Sequence, residues 1–287
     1  MRKIIVLFVF LLFGLSSFGH PGIGIAMDSK GNVFYTDLVH IWKITPNGEV
    51  SIAIENIHTH ELYIDQQDNL YGEHEWYEGE ATDKWGNYVW KLSSNGKFEK
   101  VIPDVEGFLD NNTLIRDNNG NTFWPKKNDD HERLMKDSNN GESCYFTDHL
   151  FDDIRWMYFS INDGFLYVVD NLSIKKISQE GEVSIVMDNL KDPDFSLVKV
   201  QDRHYVYGMW TDAAQNLYVA VYGAGHVKKI SPNGEISTVF ESNTFWSPCG
   251  GLISPDGTLW IMEFSHRNKT RVRRITSEGV NTVFKGN

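Results

Sequence analysis

Two short segments in the first third of the chain carry imidazole and carboxylate groups at spacings suited to metal binding. Residues 58–61 read His-Thr-His-Glu, and residues 73–80 read Glu-His-Glu-Trp-Tyr-Glu-Gly-Glu. On an extended strand the rings of His58 and His60 would point the same way, because side chains alternate along a strand. If the two segments are neighbours, His74 lies beside them, and such groups are typical ligands of Zn²⁺ and similar ions. We therefore predict one divalent ion, Zn²⁺ or Ca²⁺, at this place.

A second interpretation of the same residues needs no ion. Histidine and glutamate side chains can satisfy each other through hydrogen bonds and form a polar plug. Several acidic side chains follow one another between Glu61 and Glu80, and their mutual repulsion favours either a bound cation or a carboxyl group with a raised pKa. Both interpretations stay open from the sequence alone.

The elements that must position these residues come from an internal repeat. Residues 24–53 read as four short strands, A to D, with a tight turn between A and B and an Asn-Gly turn between C and D. Six units of about 45 residues predict an all-β, six-bladed β-propeller of four-stranded antiparallel blades, since β-sandwiches do not repeat one strand–turn formula in this way. The strand C–turn–D half recurs at residues 89–96, 134–141, 174–181, 227–234 and 272–279. The predicted blades span residues 20–56, 57–104, 105–148, 149–190, 191–243 and 244–287, and the third blade is the most degenerate.

The repeat resembles the NHL type of six-bladed propeller, whose unit has the form Gly-Ile-Ala-x-Asp-x-x-Gly-Asn-x-Tyr. Residues 24–34 and 212–218 match this form best. The resemblance extends to the SMP-30/gluconolactonase and streptogramin-lyase-like propellers, which include metal-dependent lactonases, a lyase and interaction domains. It implies the fold and leaves the function open, because one fold carries many functions.

A propeller brings its D-to-A and B-to-C connections to one face, here called the mouth face, around the opening of the central channel. All ten histidines of the chain fall in these connections, and none falls in the tight turns of the opposite face. Binding residues usually lie on loops that a rigid scaffold positions. We therefore predict a functional site on the mouth face, beside the second blade.

The candidate site residues are drawn from the mouth face. Aromatic side chains beside carboxylates suit sugar rings or other small polar cyclic ligands. Glu263 and His74 replace the aspartate that the repeat has at the end of strand B, which favours a functional role for both. The predicted metal ligands are His58, His60, His74, His204 and Glu263, and the predicted catalytic residues are Glu61, Glu73, Arg155 and Tyr207. The predicted ligand-binding residues are Trp76, Tyr77, Trp85, Asn112, Trp210 and His266.

The N-terminus and the composition limit the location and the partners. Residues 1–19 combine a basic start, an apolar run at 4–15 and small residues before position 20. This pattern predicts a signal peptide and a secreted or periplasmic product, with no stable membrane insertion after cleavage. The net charge of −12 argues against nucleic acid as a partner. Cys144 and Cys249 lie in different repeats and are predicted to be separate thiols.

Two functions are consistent with this pattern. In the first, the protein is a metal-assisted hydrolase or lyase, with a cation that polarises a carbonyl group or activates water and with Glu61 or Glu73 as the general base. In the second, it is a non-catalytic binding module. The predicted partner in both is a small polar molecule, a sugar or a peptide at the channel mouth. A serine hydrolase is not supported, because no Gly-x-Ser-x-Gly sequence occurs.

Overall fold

The computed structural model describes residues 21–109, 113–191 and 204–286. In these residues, 23 strands form six antiparallel sheets, each built from consecutive strands in chain order. The sheets are the blades of a six-bladed β-propeller, which confirms the fold predicted from the repeat. The predicted signal peptide lies outside the described residues. No helix in the described ranges is long and apolar enough to cross a membrane.

Blades one and two each have four strands, and blade three has three. Blade one contains β1 (Ile25–Met27), β2 (Val33–Thr36), β3 (Ile41–Ile44) and β4 (Val50–Ile54). Blade two contains β5 (Tyr63–Ile64), β6 (Leu70–Tyr77), β7 (Trp85–Leu92) and β8 (Phe98–Glu106). Blade three contains β9 (Thr122–Lys127), β10 (Glu132–Asp137) and β11 (Ser143–Tyr145). It departs from the four-stranded prediction, because its innermost segment pairs only through a single bridge between Arg116 and Thr122.

The last three blades are all four-stranded. Blade four contains β12 (Ile154–Phe159), β13 (Leu166–Asp170), β14 (Ser173–Ile177) and β15 (Val183–Met187). Blade five contains β16 (Met209–Thr211), β17 (Leu217–Val221), β18 (His226–Ile230) and β19 (Ile236–Glu241), with a short 3₁₀ helix, Tyr222–Ala224, after β17. Blade six contains β20 (Trp246–Ile253), β21 (Leu259–Ser265), β22 (Thr270–Ile275) and β23 (Asn281–Phe284).

The aspartate of the repeat fixes the turn between the first two strands of a blade. In blade one, Asp28 Oδ1 accepts the backbone N–H of Lys30 at 3.0 Å and of Asn32 at 2.7 Å, and Oδ2 accepts the Asn32 side-chain amide at 2.6 Å. Aspartate favours turns through bonds of this kind. The Asp-x-x-Gly-Asn signature is therefore structural and belongs to the face opposite the mouth. Equivalent turns in blades two, three and five form around Asp65, Asp117 and Asp212.

Asp28→Ala is expected to lower the free energy of unfolding by about 1–3 kcal/mol, because it removes three hydrogen bonds from a partly buried turn. Urea unfolding followed by tryptophan fluorescence measures the change. Asp188→Ala is the matched control, since Asp188 is exposed and makes no hydrogen bond within the described residues. A loss below about 0.5 kcal/mol, the usual range for surface substitutions, would contradict the structural role of the repeat aspartate.

The ring closes by side-chain packing between the last and the first blade. Tyr35 and Trp42 of blade one share a buried apolar cluster with Trp260 and Met262 of blade six. Within the described residues, no strand from one end of the chain joins the sheet at the other end. Closure therefore depends on aromatic packing, which supplies large buried areas.

Both cysteines are separate thiols, as predicted. Cys144 is exposed, and Cys249 is buried in the packing between blades six and one. Burial, reinforced by the nearby charge of Glu263, raises the pKa of the Cys249 thiol. A buried thiol with a raised pKa is unreactive, so neither the geometry nor the chemistry favours Cys249 as a nucleophile.

The innermost segments of the blades surround a central channel of about 790 Å³. Its wall is formed by β1, β5, β12, β16 and β20 together with residues 114–116 of blade three. One end of the channel reaches the tight turns that contain Asn162 and Asp212. The other end adjoins the mouth face, where the candidate residues lie.

Candidate functional site

A cavity of about 660 Å³, here called the mouth cavity, lies on the mouth face of the propeller. Its wall comes from the segments that begin blades one, two, four and five, and from Lys127 at the end of β9. The structure thus brings together residues that are far apart in the chain, from five different blades. Five predicted site residues line this cavity: His60, Glu61, Arg155, His204 and Tyr207.

His58, His60 and Glu75 bring three possible ligand atoms close together. Nε2 of His58 lies 3.0 Å from Nε2 of His60, and Oε2 of Glu75 lies 3.8 and 3.7 Å from these two nitrogens. A point equidistant from the three atoms is about 2.1 Å from each, which is the usual length of Zn–N and Zn–O bonds. Two imidazoles and one carboxylate suit Zn²⁺, whereas Ca²⁺ takes about six to eight oxygen ligands. Of the two predicted ions, the ligand set fits Zn²⁺.

Thr59 fixes the direction of the two histidine side chains. Its hydroxyl donates to the backbone O of Glu73 at 2.6 Å and accepts from Trp90 Nε1 at 3.1 Å. Thr59 is fully buried, so its side chain points into the blade. Its two neighbours therefore point away from the core, as the alternation of side chains predicts. This places both imidazole rings on the same side of the segment.

His74 contacts the histidine segment in a way that differs from the prediction. Its Nδ1 accepts a hydrogen bond from the backbone N–H of His58 at 2.9 Å, and its ring packs against that of Tyr88 with centroids 4.8 Å apart. Nδ1 of His74 is therefore occupied. His74 supports the segment as a hydrogen-bond acceptor and is not a member of the group of three ligand atoms.

Glu61 and Glu73 are neighbouring carboxyl groups beside the histidines. Oε1 of Glu73 accepts the backbone N–H groups of His60 and Glu61, the second at 3.0 Å. Burial and the charge of Glu73 raise the pKa of Glu61 to about 8. Burial also raises the pKa of Glu73, although the backbone donors oppose this shift. Because those donors stabilise ionised Glu73, Glu61 is the carboxyl group of the pair that more readily holds a proton.

The two imidazoles of the ligand group differ in basicity. Burial and the charge on His60 lower the pKa of His58. Burial also acts to lower the pKa of His60, but the carboxylates of Glu75 and Glu73 outweigh it and raise that pKa above its ordinary value. A protonated His60 beside a neutral His58 would form an N–H···N hydrogen bond. The contact of 3.0 Å therefore also fits the polar plug of the second interpretation.

Arg155 is held firmly at the wall of the mouth cavity. Strand β12 pairs with β13 at Ile154 and at Trp156, and Arg155 between them is the extra residue of a β-bulge. Bulges often redirect a side chain next to a functional site. Nε of Arg155 donates to Asp153 Oδ2 at 2.9 Å, and Nη2 donates to Asn171 Oδ1 at 3.0 Å. Nη1 is buried and has no hydrogen-bond partner among the described residues.

Blade five contributes an imidazole and a phenol to the same cavity. The hydroxyl of Tyr207 lies 2.9 Å from Nδ1 of His204, and the two rings are stacked with centroids 6.1 Å apart. His204 is therefore a partner of Tyr207 and does not belong to the group formed by His58, His60 and Glu75. A hydroxyl paired with an imidazole can hold or transfer a proton next to a bound ligand.

Glu263 forms a buried ion pair, which corrects its assignment as a metal ligand. Its carboxylate accepts Nε and Nη2 of Arg271 at 2.7 and 2.8 Å and Nε of Arg273 at 3.0 Å. The hydroxyl of Ser242 donates to the same group at 2.7 Å. Glu263 is completely buried, and both of its oxygens are occupied by guanidinium groups. It therefore stabilises blade six and does not reach the mouth cavity.

The predicted ligand-binding aromatic residues lie outside the described wall of the mouth cavity. Trp210 is buried in the core between blades five and six, where it stacks on Tyr218 with centroids 5.8 Å apart. Trp76 packs over Gly86, its partner on the facing strand. Tyr77 and Trp85 are exposed at the tip of the β6–β7 hairpin. The prediction of an aromatic platform is corrected for Trp76, whose ring serves packing, whereas Trp210 packs in the core and also borders the central channel.

Two further predicted ligand-binding residues are not placed in the site. The backbone N–H of His266 donates to the carbonyl O of Phe245 at 3.3 Å, and His266 is not in the described wall of the mouth cavity. Asn112 lies outside the described residues.

Sequence reasoning missed Glu75, the carboxylate of the ligand group. The backbone N–H of Glu75 donates to the carbonyl O of His58 at 3.0 Å, which sets the glutamate beside the histidines. This contact joins the start of a blade to its second strand, and its register has no local sequence signal. The alternation of Glu73 and Glu75 along β6 was the signal that could have included it, because both point to the same side of the strand.

Solved structures share this fold, although no family model and no curated protein matches the chain. A chain of the nidogen/laminin complex is 15% identical over 89% of this chain and 93% of its own, with a TM-score of 0.57. The protein therefore has the same fold as that chain. Regucalcin, a calcium-binding protein from Agrobacterium tumefaciens, is 13% identical over 84% of this chain and 81% of its own, with a TM-score of 0.51. Virginiamycin B lyase from Staphylococcus aureus is 14% identical over 93% and 84%, with a TM-score of 0.47.

Proposed function

We propose that the protein binds a divalent ion of the zinc class through His58, His60 and Glu75 and acts as a metal-assisted hydrolase or lyase on a small polar molecule in the mouth cavity. The observation that carries this proposal is the arrangement of three ligand atoms around one point at Zn–ligand distances. A group of three protein ligands is typical of catalytic zinc sites, which keep a further position open.

The ligand group and the mouth cavity share a residue. His60 is both a member of the ligand group and part of the cavity wall, so an ion bound there borders any molecule in the cavity. Such an ion would supply a Lewis acid that polarises a carbonyl group or lowers the pKa of bound water. Arg155 and Tyr207 lie in the same wall and would orient an oxygen-bearing substrate.

Glu61 is the best candidate for acid–base chemistry in this cavity. It follows His60 directly, lines the cavity, and has a pKa raised to about 8 by burial and by the charge of Glu73. A group with a pKa near the working pH transfers protons efficiently in either direction. Glu73 was an equal candidate from the sequence, but it accepts two backbone N–H groups and so positions the segment.

The second candidate function is ligand binding in the same cavity without turnover. It is favoured by the fact that a hydrogen bond between His60 and His58 also accounts for their close contact. The mouth cavity would then be a recognition site with a polar plug at its rim. For either function, the signal-peptide pattern of residues 1–19 supports export, which we keep as part of the proposal.

Metal titration of the purified, metal-stripped protein tests the proposal. We expect one equivalent of Zn²⁺ to bind, and one equivalent of Co²⁺ to bind with the visible absorption of a four-coordinate site. A panel of esters, lactones and elimination substrates, assayed with and without Zn²⁺, then tests for turnover. Folded protein that binds no divalent ion would overturn the proposal, and Zn²⁺ binding without turnover would favour the recognition function.

A further inference from the structure

The mouth cavity and the central channel share part of their walls. Ile23, Glu61 and Trp156 line both of them, so the two spaces adjoin inside the ring. Their volumes of about 660 and 790 Å³ are each within the range of small-molecule sites. A ligand that occupies the mouth cavity can therefore extend past Trp156 into the channel.

The two spaces differ sharply in chemical character. The mouth cavity contains charged and polar side chains, among them Arg155, Lys127 and Tyr207. The channel wall beyond the shared residues is mainly apolar. Its apolar members include Ile25, Met27, Leu62, Met157, Met209 and Leu252. A polar cavity that continues into an apolar channel fits a molecule with a polar head and an apolar tail.

Arg155, in the wall of the mouth cavity, is the residue that would bind the head group. Its guanidinium is fixed by Asp153 and Asn171, and Nη1 is buried without a partner among the described residues. Because Nη1 has almost no surface open to water, a ligand oxygen would pair with the second N–H of Nη2, beside the one that Asn171 accepts, and Lys127 lies in the same wall as a further cation. A guanidinium group held in one plane binds a carboxylate with particular strength and specificity.

The charges in the wall of the mouth cavity are compatible with a bound anion, although the net charge of the whole chain is −12. Arg155 and Lys127 are the arginine and lysine of the cavity wall, and Asp153 and Glu61 are its acidic members. Asp153 is already paired with Arg155, so its charge is balanced within the wall, and Lys127 adds a further positive charge. The selection of an anion would therefore arise inside the cavity and not from long-range attraction.

We propose that the ligand is an amphiphilic carboxylate, whose carboxylate group pairs with Arg155 in the mouth cavity and whose apolar chain enters the central channel past Trp156. The proposal rests on the proposed function only in taking the mouth cavity as the ligand site. It needs no metal ion, so the two can fail separately.

Binding of straight-chain carboxylates to the mature protein in EDTA tests the proposal by calorimetry. Acetate, butanoate, hexanoate and octanoate form the series, and octan-1-ol is the uncharged match for octanoate. Affinity is expected to rise roughly fourfold for each added CH₂ group, because each is transferred from water to an apolar wall. Octanoate is expected to bind at least about tenfold more tightly than octan-1-ol, which lacks the charge that Arg155 binds.

Two variants test the contributions of the carboxylate group and of the apolar chain separately. Arg155→Gln is expected to weaken octanoate binding about 10- to 100-fold and to leave octan-1-ol binding unchanged, because only the charge-assisted bonds are lost. Leu62→Gln keeps the side-chain size and makes the channel wall polar. It is expected to weaken octanoate several-fold and to leave acetate unchanged. Circular dichroism and thermal unfolding verify that both variants are folded.

The opposite results overturn the proposal. Equal binding of octanoate and octan-1-ol, or full octanoate affinity in Arg155→Gln, would remove the carboxylate assignment. Equal binding of acetate and octanoate would mean that the cavity takes a small anion and that the channel is not used. Octanoate binding by protein that never binds Zn²⁺ would contradict the metal proposal alone.

Discussion

Glu263→Gln is expected to lower the free energy of unfolding by about 3–5 kcal/mol, the cost typical of breaking a buried ion pair on one side. The carboxylate is completely buried and accepts hydrogen bonds from two arginines. Without its charge, the guanidinium groups of Arg271 and Arg273 would repel each other in a largely buried region. The amide would also leave part of their hydrogen bonding unsatisfied.

Urea unfolding of the variant and of the parent protein measures this effect. Glu278→Gln is the matched control, because it makes the same chemical change at an exposed turn of the same blade. The double substitution Glu263→Gln with Arg271→Gln should recover part of the loss, since it removes one of the two uncompensated cations. A loss below about 1 kcal/mol in Glu263→Gln would mean that the pair contributes little net stability and that the residue is retained for another reason.

The ion pair of Glu263 could have been predicted from the sequence. Glu263 and Arg271 are direct partners across the β21–β22 hairpin, and their spacing can be counted from the turn between the strands. The stacking of Trp210 on Tyr218 follows from the same count across the turn that begins at Asp212. Both residues were predicted as functional because each was considered without its cross-strand partner. Once the repeat is recognised, the register of each hairpin can be counted from its turn. That register predicts which residues face each other across the two strands.

The fold itself was predictable because its information is local and repeated. Asp28 and its equivalents fix one turn of the blade, and the Asn-Gly or Glu-Gly pairs fix another. Each blade therefore sets its own strand register, and the register in turn assigns every connection to one face. This is why the sequence could place His60, Glu61 and Arg155 on the mouth face before their contacts were known.

The composition of the ligand group was harder to predict for a physical reason. The choice of Glu75 over His74 depends on how an irregular segment, residues 58–61, lies against β6. That arrangement is set by tertiary contacts of Thr59, whose hydroxyl bonds connect it to Glu73 and Trp90. The placement of the Arg155 side chain likewise depends on a β-bulge, which no spacing in the sequence indicated.

Substitution within the ligand group is expected to have the largest effect on metal binding. His60→Ala and His58→Ala should each weaken Zn²⁺ binding more than about 100-fold, since loss of a ligand exceeds the 10- to 100-fold effect of losing an outer-sphere partner. Glu75→Gln should weaken it strongly as well, because the amide has no charge to offer the ion. Competition with a chromophoric chelator measures these affinities. His266→Ala is the control, as a mouth-face histidine that is outside the ligand group.

His74→Ala distinguishes the ligand set observed here from the one predicted by spacing. Since His74 accepts the backbone N–H of His58, its loss should loosen the segment and weaken Zn²⁺ binding by about tenfold, well short of the effect of His60→Ala. An equal effect of the two substitutions would mean that His74 is itself a ligand. If none of these variants changes metal affinity but His58→Ala lowers the free energy of unfolding, the group is a hydrogen-bonded plug, and the contact between its imidazoles is structural.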